Sequence, residues 1–232
     1  MFDPSHFDSW AETYDSEVLE SDNRGTFPFA GYQKLMRVLY RKITKKASSR
    51  VLDIGVGTGI LSSMLYESGH CITGTDYSKE MLRIAKEKMP NAELIQWDFT
   101  EDAPSCIKNR NFDFIISTYA LHHLNDDEKL RLISELLTLL DKDGVLYIGD
   151  IGFANPEDLQ KCKETFCDEW DDELYFVMSE ISGHLDCLVK YRQLSHCCVL
   201  LELRKISEPS ENFISLYIET ASVPGVDNEA LY

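Results

Sequence analysis

The chain has 232 residues, 44% of them hydrophobic and 27% charged, which is typical of a soluble globular protein with one α/β domain and a substantial core. Its formal net charge of −17 repels nucleic acid phosphates and argues against DNA or RNA as a partner. No apolar run approaches the roughly 20 residues that span a bilayer, and the N-terminus lacks the basic and apolar segments of a secretory signal.

The seven cysteines show neither a C-x-x-C spacing nor a His/Cys pairing of the zinc type. Because their number is odd and several fall in predicted strands, we expect reduced thiols in a cytoplasmic protein and no metal centre. The adjacent Cys197 and Cys198 are interpreted as the two faces of one strand.

The segment before the first strand carries predicted helices. An apolar-aromatic stripe at helical spacing comprises Phe7, Trp10, Ala11 and Tyr14. Residues 16–30 contain Gly25 and Pro28, which predict a mobile loop. A longer helix is predicted over Gly31–Lys46.

The stretch Val51–Leu61, VLDIGVGTGIL, predicts a buried parallel strand, a tight turn and a helix that begins near Ile60. Glycines fill the turn at alternate positions: Gly55, Gly57 and Gly59. Glycine adopts positive φ without strain, and its missing Cβ lets a ligand lie against the backbone. Free N–H groups at the start of the helix favour a polar or anionic ligand. The pattern indicates a nucleotide-type site, although a strand–helix turn without a ligand fits the same residues.

The glycine spacing disfavours two ligand classes. The dinucleotide fingerprint G-x-G-x-x-G requires a glycine where Ile60 stands. The Gly-Lys-Ser/Thr sequence of a diphosphate-binding loop is absent. If the turn binds a nucleotide, the spacing favours a different class from these two.

A second predicted strand, His70–Asp76, ends in a carboxylate. In a doubly wound sheet Asp76 lies at the same edge as the glycine turn and can accept hydrogen bonds from both hydroxyls of a ribose. Its alternative role is to cap the next helix, Lys79–Lys88, but Ser78 already suits that position. Ribose binding is therefore the favoured role.

The rest of the chain continues the alternation of strands and helices. Strands are predicted over Ala92–Phe99, Phe112–Ser117 and Gly144–Asp150, and helices over Asp126–Leu140, Pro156–Cys167 and Glu173–Ile181. Two further strands, Cys187–Arg192 and Cys197–Arg204, are joined by the short link 193–196 and predict a hairpin. The acidic run 168–173 is predicted to be a solvated helix end rather than an amine-binding site.

The D-x-G-x-G-x-G form of residues 53–59 resembles motif I of the class I S-adenosylmethionine-dependent methyltransferases. Phe7–Asp15 resembles the F-x-x-W-A-x-x-Y-D segment of many small-molecule members. The resemblance covers about residues 1–204 and implies an α/β fold: a Rossmann-like, seven-stranded, mostly parallel sheet with an antiparallel last strand and helices on both faces. It also implies a helical lid over residues 1–48 and leaves residues 205–232 as an appendage of unknown structure.

The same resemblance implies S-adenosyl-L-methionine as the cofactor. Asp53 would organise its methionine end, Asp76 would bind ribose, and Asp98 would bind the adenine amino group. The residues implied for the cofactor are Asp53, Gly55, Gly57, Gly59, Asp76, Tyr77, Asp98, Phe99, Ser117 and Tyr14.

The candidate catalytic residues are Tyr14, His122 and His196. Tyr14 would lie over the methionine end, where an aromatic face attracts a cation by about 0.5–2 kcal/mol, and simple packing is its alternative. His122 and His123 follow the fourth strand, beside the methyl group in the resembling fold, and histidine transfers protons near neutral pH. The sequence A-L-H-H-L is, however, frequent in this family even where no base is known.

The hairpin link is predicted to lie at the cofactor edge of the sheet. Its polar side chains, Gln193, Ser195 and His196, either face the acceptor or form an exposed tip. The predicted function is methyl transfer to a small-molecule acceptor by in-line displacement. The alternatives are a noncatalytic S-adenosylmethionine-binding protein, an enzyme that modifies the cofactor itself, and a nicotinamide-dependent oxidoreductase, which Ile60 disfavours.

Overall fold

A mostly parallel sheet forms the centre of the computed structural model, which describes residue 8 and residues 10–206. Its strands are β1 Arg50–Ile54, β2 Cys71–Asp76, β3 Glu93–Gln96, β4 Phe112–Thr118, β5 Leu140–Phe153, β6 Phe176–Val177, β7 Leu188–Gln193 and β8 Cys198–Arg204. The α-helices are α1 Tyr14–Arg24, α2 Tyr32–Ile43, α3 Ile60–Glu67, α4 Lys79–Lys88, α5 Ser105–Lys108, α6 Asp126–Thr138, α7 Pro156–Thr165 and α8 Met178–Ile181. Phe7 and the predicted appendage from residue 207 onward lie outside the described residues.

The strand order across the sheet is β3-β2-β1-β4-β5-β8-β7. Strands β1 to β5 run parallel, and β8 lies antiparallel between β5 and β7. This order confirms the predicted fold and hairpin, and the two-residue β6 adds a short pairing to the end of β5. Because the carboxyl ends of the parallel strands meet at one edge, we call that edge the site edge.

Hydrophobic cores fill both faces of the sheet. Successive strand residues point to opposite faces, so Val51 packs in the core under α2 and Leu52 in the core under α6. A Cβ on Gly149 would lie only 2.4 Å from Leu35 Cδ2, which shows how closely α2 packs on β5. The helices thereby hold the strand ends at fixed positions. Among the described residues no helix is long and apolar enough to cross a membrane.

The prediction of a mobile loop over residues 16–30 is wrong. Helix α1 occupies Tyr14–Arg24 and ends at Gly25, whose φ is +65°. The Asp22 carboxylate accepts hydrogen bonds from the backbone N–H groups of Gly31 at 2.7 Å and Gln33 at 3.0 Å, at the start of α2. These contacts order a segment whose Gly and Pro residues indicate a loop.

The prediction of one helix over Glu173–Ile181 is also wrong. Phe176 and Val177 pair in parallel with the last residues of β5, and only Met178–Ile181 is helical. Strand β5 continues to Phe153, beyond its predicted end at Asp150, and so supplies the pairing partner. Local pattern favoured a helix there, but an available strand edge determined the structure.

Candidate active site

The glycine turn leaves the end of β1 and enters α3. Its glycines have φ values of +72° at Gly55, +55° at Gly57 and +79° at Gly59, a region that other residues adopt only with strain. A Cβ on Gly55 would lie 2.5 Å from the Ala120 Cβ, whereas no atom lies within 4 Å of a Cβ placed on Gly57. Gly55 therefore permits close packing of the turn after β4, and Gly57 borders open space.

Asp76 at the end of β2 holds the glycine turn in place. Its Oδ2 accepts from the Gly57 N–H at 2.8 Å, and its Oδ1 accepts from the Ser78 N–H at 2.9 Å. Burial raises the pKa of Asp76 to about 6, although hydrogen bonds from the backbone of Ser78, Gly57 and Tyr77 lower it. Ser78 caps α4 as predicted, since its Oγ accepts from the Met81 N–H at 3.1 Å.

Asp53 lies at the C-terminal part of β1 and is 3% exposed. Its Oδ2 accepts from the Ser62 hydroxyl at 2.6 Å, while its Oδ1 has no hydrogen-bond partner among the described residues. Burial raises the pKa of this carboxyl to about 7, although the Ser62 hydrogen bond lowers it. Asp53 lines a small pocket together with Tyr14, Gly57 and Thr118. The pocket therefore contains a buried acceptor oxygen that a ligand donor or cation could satisfy.

Two candidates occupy the part of the site edge next to β3. Asp98 lies just beyond β3, and its Oδ1 accepts from the backbone N–H and hydroxyl of Thr100 at 2.9 and 2.7 Å. Phe99 is half-buried, and its ring packs edge-on against Trp97 at a centroid distance of 6.4 Å. Both side chains thus stand one strand away from Asp76, which is where the sequence predicts the adenine site.

Tyr77 and Ser117 are also at the site edge and differ in their burial and in their hydrogen bonds. Tyr77 is half-buried, and its carbonyl accepts from Gln96 Nε2 at 3.0 Å. Ser117 is fully buried and donates its hydroxyl to the Ile54 carbonyl at 2.9 Å, which joins β4 to β1. The next residue, Thr118, lines the pocket with Asp53 and was not among the predicted site residues.

Helix α1 begins over the glycine turn. The Asp15 carboxylate accepts from the Thr58 hydroxyl at 2.6 Å and from Lys88 Nζ at 3.0 Å. Tyr14, the first residue of α1, lines the pocket and packs its ring edge-on against Trp10 at 4.7 Å. Burial raises the pKa of the Tyr14 phenol well above its ordinary value, and the nearby carboxylates of Asp15 and Asp76 raise it further. The sequence predicted Tyr14 at this place but not the Asp15 contacts.

His122 forms a buried pair with Asp150 of β5. The distance between His122 Nδ1 and Asp150 Oδ1 is 2.6 Å. Asp150 is fully buried and also accepts from two backbone N–H groups, those of Leu121 at 2.8 Å and Ile151 at 2.7 Å. Asp150 was not a predicted site residue, although it closes a predicted strand as Asp76 does.

His122 and Asp150 shift each other's pKa in opposite directions. Burial by itself lowers the pKa of His122, but the charge and hydrogen bond of Asp150 outweigh it and raise the pKa above 6.5. Burial by itself raises the pKa of Asp150, but His122 and the two backbone N–H groups outweigh it and lower the pKa below 3.8. Asp171 and Glu173 add negative charge near His122. The pair therefore holds an ionised carboxylate against an imidazole whose affinity for a proton is raised.

The acidic run 168–173 leaves α7 and passes over the turn that carries the two histidines. Glu173 Oε2 lies 3.3 Å from His123 Nδ1, and the Leu174 N–H donates to the His122 carbonyl at 2.9 Å. The fully buried Lys129 of α6 donates to the Leu174 carbonyl and, at 3.1 Å, to Asp126. Most acids of the run are exposed, as predicted, but Glu173 faces the site.

The hairpin link lies at the site edge, as predicted, but its polar side chains have structural partners. The ring of His196 is exposed and stacks on Phe166 of α7 at 4.7 Å. Ser195 donates its hydroxyl to the Ala30 carbonyl, and Gln193 Nε2 donates to the Gly152 carbonyl at 3.0 Å. The structure thus brings Tyr14, Asp53 and the glycine turn together, and it places the hairpin residues outside that group.

Tyr119 is a further feature that the sequence did not reveal. It follows Thr118, adopts a φ of +51°, and is 7% exposed. Its ring lies 5.3 Å from Phe29 and 5.5 Å from Tyr32. A non-glycine residue in this strained region is uncommon and is often found at functional sites. No local sequence signal identifies such a residue, because the strain depends on how β4 and α2 pack.

Comparison with known proteins identifies the family. A family model described as a methyltransferase domain matches residues 51–144. An uncharacterized methyltransferase of Bacillus cereus (strain ATCC 14579) is 38% identical over 212 residues, which cover 86% of this chain and 96% of the relative. An uncharacterized methyltransferase of Bacillus cytotoxicus is 40% identical over 161 residues, covering 68% and 72% of the two chains.

Solved structures of methyltransferases share the fold. The DhpI–SAH complex aligns with a TM-score of 0.63 and 18% identity over 87% of this chain and 94% of that one. The magnesium protoporphyrin IX methyltransferase of Synechocystis with bound SAH aligns with a TM-score of 0.58 and 19% identity over 76% and 85%. From its relatives, its motif and its fold, the chain belongs to the class I S-adenosylmethionine-dependent methyltransferases.

Proposed function

We propose that this chain transfers the methyl group of S-adenosyl-L-methionine to a small-molecule acceptor by in-line displacement. The observation that carries the proposal is Asp53 Oδ1, a buried oxygen that no described residue hydrogen-bonds, in the same pocket as the open backbone of Gly57. A buried carboxylate oxygen without a partner costs free energy unless a ligand pairs with it. The amino group of the methionine moiety is a ligand group of the required charge.

The remaining candidates fit the rest of the cofactor along the site edge. Asp76 would accept from ribose hydroxyls while it holds the Gly57 N–H, and Tyr77, Asp98 and Phe99 would enclose the adenine. Ser117 would act through the β1–β4 connection that its hydroxyl makes. The bound cofactor supplies an electrophilic methyl group, so the chain mainly has to align the acceptor and exclude water.

The small pocket and the acidity of the chain support a methyl acceptor that is small and either uncharged or cationic. Tyr14 closes a pocket that is small in this structure, and Asp15 ties its helix to the glycine turn. We assign the region before β1 as a lid on this basis, with His122 and His196 as candidate acceptor contacts. The net charge of −17 disfavours nucleic acid, and seven cysteines without a disulfide among the described residues suit a cytoplasmic enzyme.

Calorimetric titration with S-adenosylmethionine and S-adenosylhomocysteine tests the proposal. We expect micromolar binding by the wild type and at least about tenfold weaker binding by Asp53→Asn and by Asp76→Asn, about 1.4 kcal/mol or more. Asp113→Asn is the matched control, because Asp113 lies at the opposite end of β4, where Lys46 pairs with it. Failure of the wild type to bind either ligand would contradict the proposal.

A second experiment addresses the acceptor. The protein is incubated with S-adenosylmethionine labelled in its methyl group and with panels of small alcohols, amines, thiols, carboxylates and nucleic acid fragments. Transfer of label to a small molecule supports the proposal. Transfer to nucleic acid alone contradicts the assignment of a small-molecule acceptor.

A further inference from the structure

The His122–Asp150 pair has a chemistry that the family assignment does not explain. Asp150 is fully buried, and its oxygens accept from two backbone N–H groups and from His122 Nδ1. A carboxylate with three donors is held in its ionised form. Its contact with His122 at 2.6 Å therefore requires a hydrogen on Nδ1.

This contact leaves the second ring nitrogen available. In a neutral imidazole with a hydrogen on Nδ1, the lone pair is on Nε2. No described residue forms a hydrogen bond with His122 Nε2, and the side chain is 10% exposed. The pair therefore presents one oriented nitrogen that can receive a proton.

The position of the pair is tied to the cofactor turn. His122 lies in the single turn Leu121–His123, which follows β4. The preceding residue, Ala120, packs so closely on the glycine turn that a Cβ on Gly55 would lie 2.5 Å from its own Cβ. Tyr14 is near enough to both Asp76 and Asp150 for each carboxylate to raise its pKa. The pair thus belongs to the same edge as the pocket.

We propose that His122 is the proton acceptor of the methyl-transfer reaction and that Asp150 is the residue that positions it. This inference rests on the proposed function. The nucleophile's lone pair forms the new bond to the methyl carbon, the sulfur–carbon bond breaks with its electron pair staying on sulfur, and the nucleophile's proton passes to Nε2. The role requires an acceptor atom that carries both a lone pair and a proton, such as the oxygen of an alcohol or the nitrogen of a neutral amine, rather than a carboxylate.

The charges around the ring support proton transfer at neutral pH. Asp150 contacts His122 from β5, Asp171 and Glu173 lie near it from the segment after α7, and His123 is its neighbour in the turn. The carboxylates raise the pKa of His122, whereas burial and the charge of His122 lower the pKa of His123. Asp150 thereby makes the His122 ring a stronger proton acceptor, which suits a general base.

Two measurements on the S-adenosylhomocysteine-bound protein test the proposal without a known acceptor. The first is an NMR titration of the histidine rings. We expect His122 to titrate above 6.5 with hydrogen on Nδ1, and its pKa to fall by about one unit or more in Asp150→Asn. Glu173→Gln should lower it less. Equal titration of His122 in the wild type and Asp150→Asn would overturn the assignment of Asp150.

The second measurement is carbethoxylation of the wild type by diethyl pyrocarbonate, with each histidine followed by mass spectrometry across pH. His196 is the matched control because its ring is exposed. A catalytic His122 reacts at Nε2 with a rate that rises through its own pKa. A His122 that stays unmodified while His196 reacts is structural only, and that result would overturn the proposal. Loss of S-adenosylhomocysteine binding, by contrast, would count against the proposed function itself.

Discussion

Three carboxylates at the site edge have different pKa values because their partners differ. Asp53 has one hydroxyl donor and a free oxygen, and burial raises its pKa to about 7. Asp76 has three backbone donors, but burial outweighs them and raises its pKa to about 6. Asp150 has two backbone donors and a histidine, which together lower its pKa despite complete burial. The first two therefore suit a ligand that brings positive or donor groups, whereas the oxygens of Asp150 already have donors within the protein.

Substitution by alanine should have different effects at two glycines of the same turn. Gly55→Ala would place a Cβ against Ala120 as well as impose left-handed strain, and we expect a loss of stability of about 2–4 kcal/mol. Gly57→Ala meets no protein atom within 4 Å, so it should cost only about 1–2 kcal/mol of strain. Its added methyl group nevertheless enters the space that we assign to the cofactor, and binding should fall at least tenfold.

Chemical unfolding and calorimetric titration with S-adenosylhomocysteine separate these effects. The informative result is a Gly57→Ala protein that is folded but binds poorly. If Gly57→Ala binds as the wild type does, the cofactor does not approach the backbone at this position. Gly69→Ala is the control, since Gly69 also has positive φ and open surroundings but lies after α3, away from the site edge.

At the scale of elements, local signals predicted some segments well and failed at others. Helix α4 has the predicted bounds because Ser78 caps it and its apolar residues recur at helical spacing. The hairpin of β7 and β8 was readable from its short link. Helix α1 and strand β6 were missed because contacts outside their own segments stabilise them: Asp22 binds the start of α2, and β6 pairs with the end of β5.

The candidate site shows the same division. The motif residues Asp53, Gly57 and Asp76 were predictable because they lie in one strand–turn–helix unit and at the end of the next strand. The pairing of His122 with Asp150 joins residues 28 positions apart and depends on the adjacency of β4 and β5. Sequence could place both at one edge, but not within hydrogen-bond distance.

The contact of α1 with the glycine turn predicts a role in cofactor release. Asp15 receives hydrogen bonds from Thr58 and Lys88, one on the turn and one on α4. Asp15→Ala removes both, which should weaken the docking of α1 by about 1–3 kcal/mol. If α1 is a lid, S-adenosylhomocysteine should dissociate at least about fivefold faster, as measured by stopped-flow displacement.

Glu20→Ala provides the control for this experiment. Glu20 lies on the same helix and pairs with Arg24 at the exposed surface, where such pairs contribute little. We expect its dissociation rate to match the wild type. An unchanged rate in Asp15→Ala as well would show that α1 packs on the domain without controlling access to the pocket.

For the whole molecule, the raised carboxyl pKa values predict that stability depends on pH. Asp53 has a pKa of about 7 in the folded state and an ordinary value of 3.8. At a pH between these two values the folded protein therefore holds a proton that the unfolded chain has already released. The free energy of unfolding therefore falls as pH rises from about 4 to about 7, by at most about 4 kcal/mol from this group. Asp76 and His122, whose folded pKa values are also raised, act in the same direction, while His70, His123 and His196, with lowered values, oppose them.

Urea unfolding at pH 5 and pH 8 isolates the contribution of Asp53. Between pH 5 and pH 8 the wild type should lose more of its free energy of unfolding than Asp53→Asn does, because asparagine cannot titrate. Asp113→Asn is the matched control: the pKa of Asp113 is already below 3.8, so its carboxyl is ionised in both states throughout this range and its loss leaves the pH difference unchanged. A pH difference in Asp53→Asn equal to that of the wild type would mean that Asp53 is ionised in the free protein. In that case its free oxygen is satisfied before the cofactor arrives.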